Sequence, residues 1–240
     1  MKYIMKTLVL YVFHIMNDRV KQFINNCIFY DENIDFIIIS NDKNNIIEIP
    51  NYVKTLYRDN IGYDFGGWSD ALLTDKIYEN YDHFIFVNSS VIGPFLPLYY
   101  KGKWTDVYID GLQNSKLFGS TINTCMNPSN DSHVQSYIFS MNKETLEHLI
   151  HCEIFSMTNY AKTFDEAIWN KEVLMSRKVI EKGWNIASLL KQYKNVDFTF
   201  KTENQSFEYF DDMMFDGYRN KYWNEFELVF IKGNRRINMS

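Results

Sequence analysis

The chain has 240 residues, 46% of them hydrophobic, enough to bury the core of one large domain. Its formal net charge of −5 argues against nucleic acid as an electrostatic partner. Cys27, Cys125 and Cys152 stand at unrelated spacings that make neither a metal signature nor a disulfide framework, which favours a reducing compartment, and no apolar run reaches the roughly 18 residues of a membrane span. Two lysines near the start imitate a signal peptide. However, Thr7–His14 (TLVLYVFH) is rich in β-branched and aromatic residues with no small-residue cleavage site, and it reads as a buried first strand. Asn17 or Asp18 can cap a helix in which Val20, Phe23, Ile24 and Cys27 share one face.

Ile34–Ser40 reads as a second buried strand, Val53–Tyr57 as a third, Ser69–Tyr81 as a helix and His83–Val87 as a fourth strand. Farther on, Lys116–Ile122 and Gln135–Met141 look like strands, and Glu144–His151 and Asp165–Lys182 like helices. An aromatic, acidic stretch follows residue 200, and a last apolar strand, LVFIK, leads into GNRR. The alternation predicts a single α/β domain over residues 1–240, with a mainly parallel central sheet flanked by helices.

In such sheets ligands sit outside the carboxyl ends of the strands, where strand order reverses. Three polar or glycine-bearing loops leave those ends: SNDKNN, RDNIGYDFGG and NSSVIGPF. Gly62, Gly66 and Gly67 permit unusual backbone and close approach of a ligand to the main chain. A helix starting near Trp68 would aim its amide donors at an anionic group there. The spacing is neither the dinucleotide fingerprint nor a P-loop. A glycine-rich turn with Asp64 as helix cap is the simpler alternative.

The order of the pieces resembles the nucleotide-sugar-binding half of GT-A glycosyltransferases. More closely, NIGYDFGGW, FVNSSVIGPF, KLFGSTIN, HVQS, the E-x-x-x-S helix and FIKGNRR are similar to rhamnan-synthesis-F-like and capsular-polysaccharide glycosyltransferases, over roughly residues 5–236. The resemblance implies a GT-A-like domain with a nucleotide-sugar-binding half at 1–100 and an acceptor half with a C-terminal tail at 101–240. It also implies cytoplasmic transfer of a sugar, with inversion, from a nucleotide-sugar donor to a glycan acceptor. One departure matters. Where most GT-A enzymes carry Asp-x-Asp for a divalent metal, this chain has Asn88-Ser89-Ser90, neutral and weak as ligands for Mn²⁺ or Mg²⁺. Either Asp64 stands in as a metal ligand, or the basic groups Arg58, Lys232, Arg235 and Arg236 neutralise the diphosphate. The departure also raises an alternative, a catalytically inactive carbohydrate-binding or scaffold protein.

Glu172, in the E-x-x-x-S pattern with Ser176, is the expected general base, with Asp165 and Glu166 as competitors and a helix-start carboxylate as the plainer reading. Asp42 is assigned to the nucleotide base edge, or else to an Asx turn. His14 lines the same edge, Asn60 closes the glycine loop, and His133 contacts acceptor or phosphate unless it packs in the core. Trp68, Trp104, Trp169 and Trp184 offer faces for sugar stacking.

Overall fold

The computed structural model describes residues 5–124, 127–201, 205 and 224–233. Most of the aromatic, acidic stretch, with Cys125, Arg235 and Arg236, lies outside them. The first half runs β1 (Thr7–Phe13), α1 (Asp18–Cys27), β2 (Ile34–Ser40), β3 (Lys54–Tyr57), α2 (Tyr63–Leu73), β4 (His83–Asn88) and β5 (Val91–Ile92). The second begins with α3 (Trp104–Asp110), β6 (Leu117–Gly119), β7 (Ile122–Asn123) and α4 (Pro128–Asp131). β8 (His133–Val134), β9 (Ile138–Asn142) and α5 (Lys143–His151) follow. α6 (Phe164–Ala167) passes through a π-helical turn, Ile168–Val173, into α7 (Leu174–Glu181), after which come β10 (Ile186–Ser188), α8 (Glu225–Leu228) and β11 (Ile231–Lys232).

Seven strands form one sheet in the order β10-β6-β9-β4-β1-β2-β3. The run β3-β2-β1-β4 is parallel, β10 is parallel to β6, and β9 lies antiparallel between β4 and β6. The expected α/β architecture with a mainly parallel sheet is what the chain adopts. Every residue of β1 is buried, as its unbroken apolar run requires of a strand covered on both faces. On one face Tyr11 stacks on Phe23 of α1, with ring centroids 3.9 Å apart. On the other, Gly67 of α2 sits against Val12. β1 has β2 on one side and β4 on the other, so strand order reverses there and a crevice opens at their carboxyl ends.

Five expected elements change. The strand expected at Lys116–Ile122 divides into β6 and β7, which belong to different sheets, and the one expected at Gln135–Met141 begins only at Ile138. The helix placed at Ser69 starts six residues earlier, at Tyr63, and gives way to a 3₁₀ segment at Thr74–Asn80. Glycine's poor helix propensity argues against a helix through DFGG, but packing against the sheet prevails. The single long helix at Asp165–Lys182 is interrupted by the π-helical turn. In LVFIK only Ile231 and Lys232 pair as a strand, because Val229, with φ 62°, turns the chain between α8 and β11.

Candidate functional site

The loop after β3 is built around a buried arginine. Arg58 donates Nε to Asp70 Oδ2 at 2.6 Å, Nη1 to Asn41 Oδ1 at 2.7 Å and Nη2 to the Ile61 carbonyl at 2.6 Å. It therefore ties the loop to α2 and to the end of β2, which corrects its expected place against a diphosphate. Asn41, itself buried, completes the tie by donating Nδ2 to Asn60 Oδ1 at 3.2 Å and to the Tyr63 carbonyl at 3.1 Å. Gly62 caps α2 in the left-handed region, φ 75°, where glycine carries no steric penalty.

Gly66 and Gly67 are glycines for a reason other than the one expected. A Cβ on Gly66 would drive into the Ile61 carbonyl oxygen. One on Gly67 would stand 2.8 Å from Val12 Cγ2 and 3.1 Å from Asn41 Oδ1. Both positions face protein, where they let α2 settle onto its own loop and the sheet, and they leave no room for a ligand on that side. Beyond the loop, Gly62 and Tyr63 line a cavity of about 450 Å³ together with Thr158 and Tyr160.

Because α2 starts at Tyr63, Asp64 occupies its first turn and meets the end of β4, where Asn88 Nδ2 donates to Asp64 Oδ2 at 3.0 Å. Asn88 Oδ1 accepts from the Ser90 amide at 2.9 Å, shaping the Asn88-Ser89-Ser90 loop. Burial pushes the Asp64 carboxyl from its ordinary 3.8 up to about 6; the Asn88 hydrogen bond and Lys232 oppose this, and the charge of Glu172 adds to it. Lys232 is brought in by β11, which pairs with β5 so that Lys232 stands opposite Val91.

Glu172 arrives from the π-helical turn, a local widening often found at functional sites. Its Oε2 accepts from the Ser136 amide at 2.8 Å and from the Ser136 hydroxyl. One turn on, Ser176 Oγ accepts from the Val134 amide at 2.9 Å. Two side chains four apart on the helix thus grip alternate amides of the segment that follows α4. His133, buried in β8, places Nε2 3.5 Å from Glu172 Oε1 and Nδ1 2.7 Å from the Asp131 carbonyl. Burial would raise the Glu172 carboxyl, but His133, Lys232 and Ser136 together hold it down at about 2. Beside it, Lys171 turns inward and donates Nζ to the carbonyls of Glu153 at 2.7 Å and Ile154 at 3.1 Å. The turn sends one charged side chain into the scaffold and the next into the crevice.

The crevice therefore joins Asp64, Asn88, Glu172, His133 and Lys232, with Ser89 and Ser90 on its rim. Other expected residues among those described are not hydrogen-bonded to this group. Asp42 accepts from the Asn44 amide at 2.9 Å in an Asx turn. His14 is exposed, its Nδ1 2.9 Å from the Asn41 carbonyl. Trp68 and Trp104 are core residues, Trp184 packs half-buried against the core, and Trp169 alone of these four is exposed. Asp165 and Glu166 stand in the first turn of α6, where Glu166 accepts from the Lys162 amide. Arg235 lies outside the described residues.

A family model described as rhamnan synthesis protein F matches residues 36–217, about three-quarters of the chain. The chain belongs to that family. Membership ties it to the synthesis of rhamnan polysaccharide. No curated protein matches it. Among solved structures, the crystal structure of A197 from STIV is similar at 13% identity and a TM-score of 0.32, over 60% of this chain and 68% of that one.

In this rhamnan synthesis protein F family member, no group of three or more His, Cys, Asp or Glu among the described residues is placed to hold a metal ion. Asp64 accepts from the Asn88 side chain, and Glu172 accepts from Ser136 and lies beside His133, so each carboxylate is engaged by protein groups. Among the described residues, no helix is long and apolar enough to cross a membrane. Sequence reading missed Asn41 and Ser136, whose roles come from partners distant in the chain. It also missed Arg19, which links the start of α1 to the loop after β4.

Proposed function

We propose that this protein is a GT-A-like glycosyltransferase that moves a sugar from a nucleotide-sugar donor to a glycan acceptor, with inversion and without a divalent metal. Residues 1–100 hold most of the donor, residues 101–240 hold the acceptor and bring Glu172 and Lys232 to the donor's reacting end, and the reaction belongs to the cytosol, where nucleotide sugars are made. The observation that carries this reading is the carboxylate pair at the strand-order reversal. Asp64 is raised to about 6 and Glu172 lowered to about 2, two acids driven apart by their surroundings. Such a split separates roles. A carboxylate near 6 is a competent base at neutral pH, whereas one near 2 stays ionised and is a poor one.

We therefore exchange the roles expected from the sequence. Asp64 takes the proton of the acceptor hydroxyl as it attacks the anomeric carbon. Glu172 remains an anion that adds to the effect of burial on Asp64 and meets the positive charge gathering on the sugar. Lys232 stands where it can meet the departing diphosphate. Incubating the protein with uridine, guanosine and thymidine diphosphate sugars and a rhamnose-containing acceptor tests this, with release of nucleoside diphosphate as the readout. Release that depends on acceptor and persists in EDTA is the expected result. Sugar or nucleotide binding with no release in any mixture would replace the enzyme with a binding protein.

A further inference from the structure

Arg19 stands in the first turn of α1, at the mouth of the crevice between β1 and β4. Its Nε donates to the Ser89 carbonyl at 3.1 Å and joins the start of α1 to the loop that leaves β4. A guanidinium carries five N–H donors, and that bond uses one of them. The two terminal nitrogens have no hydrogen-bond partner among the described residues, and the side chain is half-buried. β11 closes over the stem from the other side. The Gly233 amide donates to the Ser90 carbonyl at 2.6 Å, and a Cβ on Gly233 would lie 3.1 Å from Arg19 Cδ. The helix end itself has little left to offer an anion, because Asn17 already accepts from the amides of Arg19 and Val20.

Asp64, Asn88, Ser89, Ser90 and Arg19 thus form a continuous hydrogen-bonded rim, with Asp64 at one end and a guanidinium at the other. A departing diphosphate needs its charge met at a fixed place, and the Asn88-Ser89-Ser90 loop offers only neutral groups there. We propose that Arg19 binds the diphosphate of the nucleotide-sugar donor through its terminal guanidinium nitrogens, in the place a divalent cation would otherwise take. This inference rests on the transferase reading. A planar fork matches two phosphate oxygens at once, and the Ser89 carbonyl holds it ready before the donor arrives.

The test is calorimetric titration, in EDTA, of uridine, guanosine and thymidine diphosphates and their parent nucleosides. Wild type, Arg19→Gln, Arg19→Lys and the exposed control Lys21→Gln are compared. Arg19→Gln should weaken binding of whichever diphosphate the wild type takes by about 10–100-fold, as expected for lost charged hydrogen bonds. Nucleoside affinity should be unchanged, and so should Lys21→Gln. Arg19→Lys keeps the charge but not the fork, and should lose several-fold. Should Arg19→Gln not fold, the lysine variant carries the test. Diphosphate affinity within about twofold of wild type in the folded variants would overturn the proposal and leave the transferase reading standing. Wild-type binding that vanishes in EDTA would overturn it too. A wild type that binds none of the three diphosphates, with or without Mn²⁺, would overturn the transferase reading and this inference with it.

Discussion

Asp64→Asn should lower sugar transfer by about 10²–10⁴-fold, the usual contribution of a general base, while raising the melting temperature at neutral pH. Both effects come from one fact, the rise of the Asp64 carboxyl from 3.8 to about 6. The folded protein holds this proton more tightly than the unfolded chain. Stability tied to it is therefore full below about 4 and is lost as pH rises through about 6. At neutral pH the wild type keeps an ionised carboxylate in a place that disfavours one. Asparagine removes that cost and still offers an oxygen to Asn88 Nδ2. In the wild type, activity should climb with pH along a limb centred near 6. Glu172→Gln removes a charge that adds to the effect of burial on Asp64, so its limb should move somewhat to lower pH while part of the turnover survives. A Glu172→Gln enzyme as dead as Asp64→Asn, or an Asp64→Asn enzyme with more than about a tenth of wild-type turnover, would return the base to Glu172.

Gly66→Ala should be among the most damaging single methyl additions in the protein. Its Cβ would meet the Ile61 carbonyl oxygen, a backbone atom pinned by Arg58 Nη2 at 2.6 Å. Neither the loop nor α2 can give way without breaking the Arg58 network. Overpacking of this kind costs about 3 kcal/mol, or roughly 6–12 °C in melting temperature for a domain this size. Gly67→Ala meets the side-chain atoms Val12 Cγ2, Asn41 Oδ1 and Ile39 Cγ2 instead, at 2.8, 3.1 and 3.2 Å, milder overlaps than the one with the Ile61 carbonyl. It should lose about half as much or less. Thermal melts of the two variants check this. Equal melting temperatures would mean the Ile61 carbonyl is freer than the network implies.

The strands that were legible in the sequence are those whose burial leaves no choice of residue. β1, β2 and β4 read as continuous apolar runs because neighbours cover both their faces. α2 was misplaced because local propensity weighs against two adjacent glycines, and only the sheet beneath explains them. Asp64 and Glu172 were visible as carboxylates in a suggestive order, yet their relative acidity depends on Ser136, His133 and Lys232, all far away in the chain. Arg58 and Arg19 show the limit most sharply. In sequence, one is a cation in a polar loop and the other a cation on an amphipathic helix. The first is consumed by Asp70, Asn41 and Ile61, while among the described residues the second keeps its terminal nitrogens open. Nothing local distinguishes them.

The pairing of β5 with β11 bears on the order in which the molecule is assembled. It joins residues near position 92 to residues near position 231, closing a loop of more than half the chain with only two paired residues on each side. Such a contact gains little until the rest of the fold has shortened the distance, so it forms late. For the same reason it opens early, at a free energy below that of global unfolding. Lys232 is therefore the last charge to reach the crevice and the first to leave it, so warming should cost the protein its ligand competence while the sheet is still intact. Hydrogen exchange reads this directly: the Gly233 amide should exchange well before that of Val9, and equal protection of the two would mean the strap and the sheet melt as one unit.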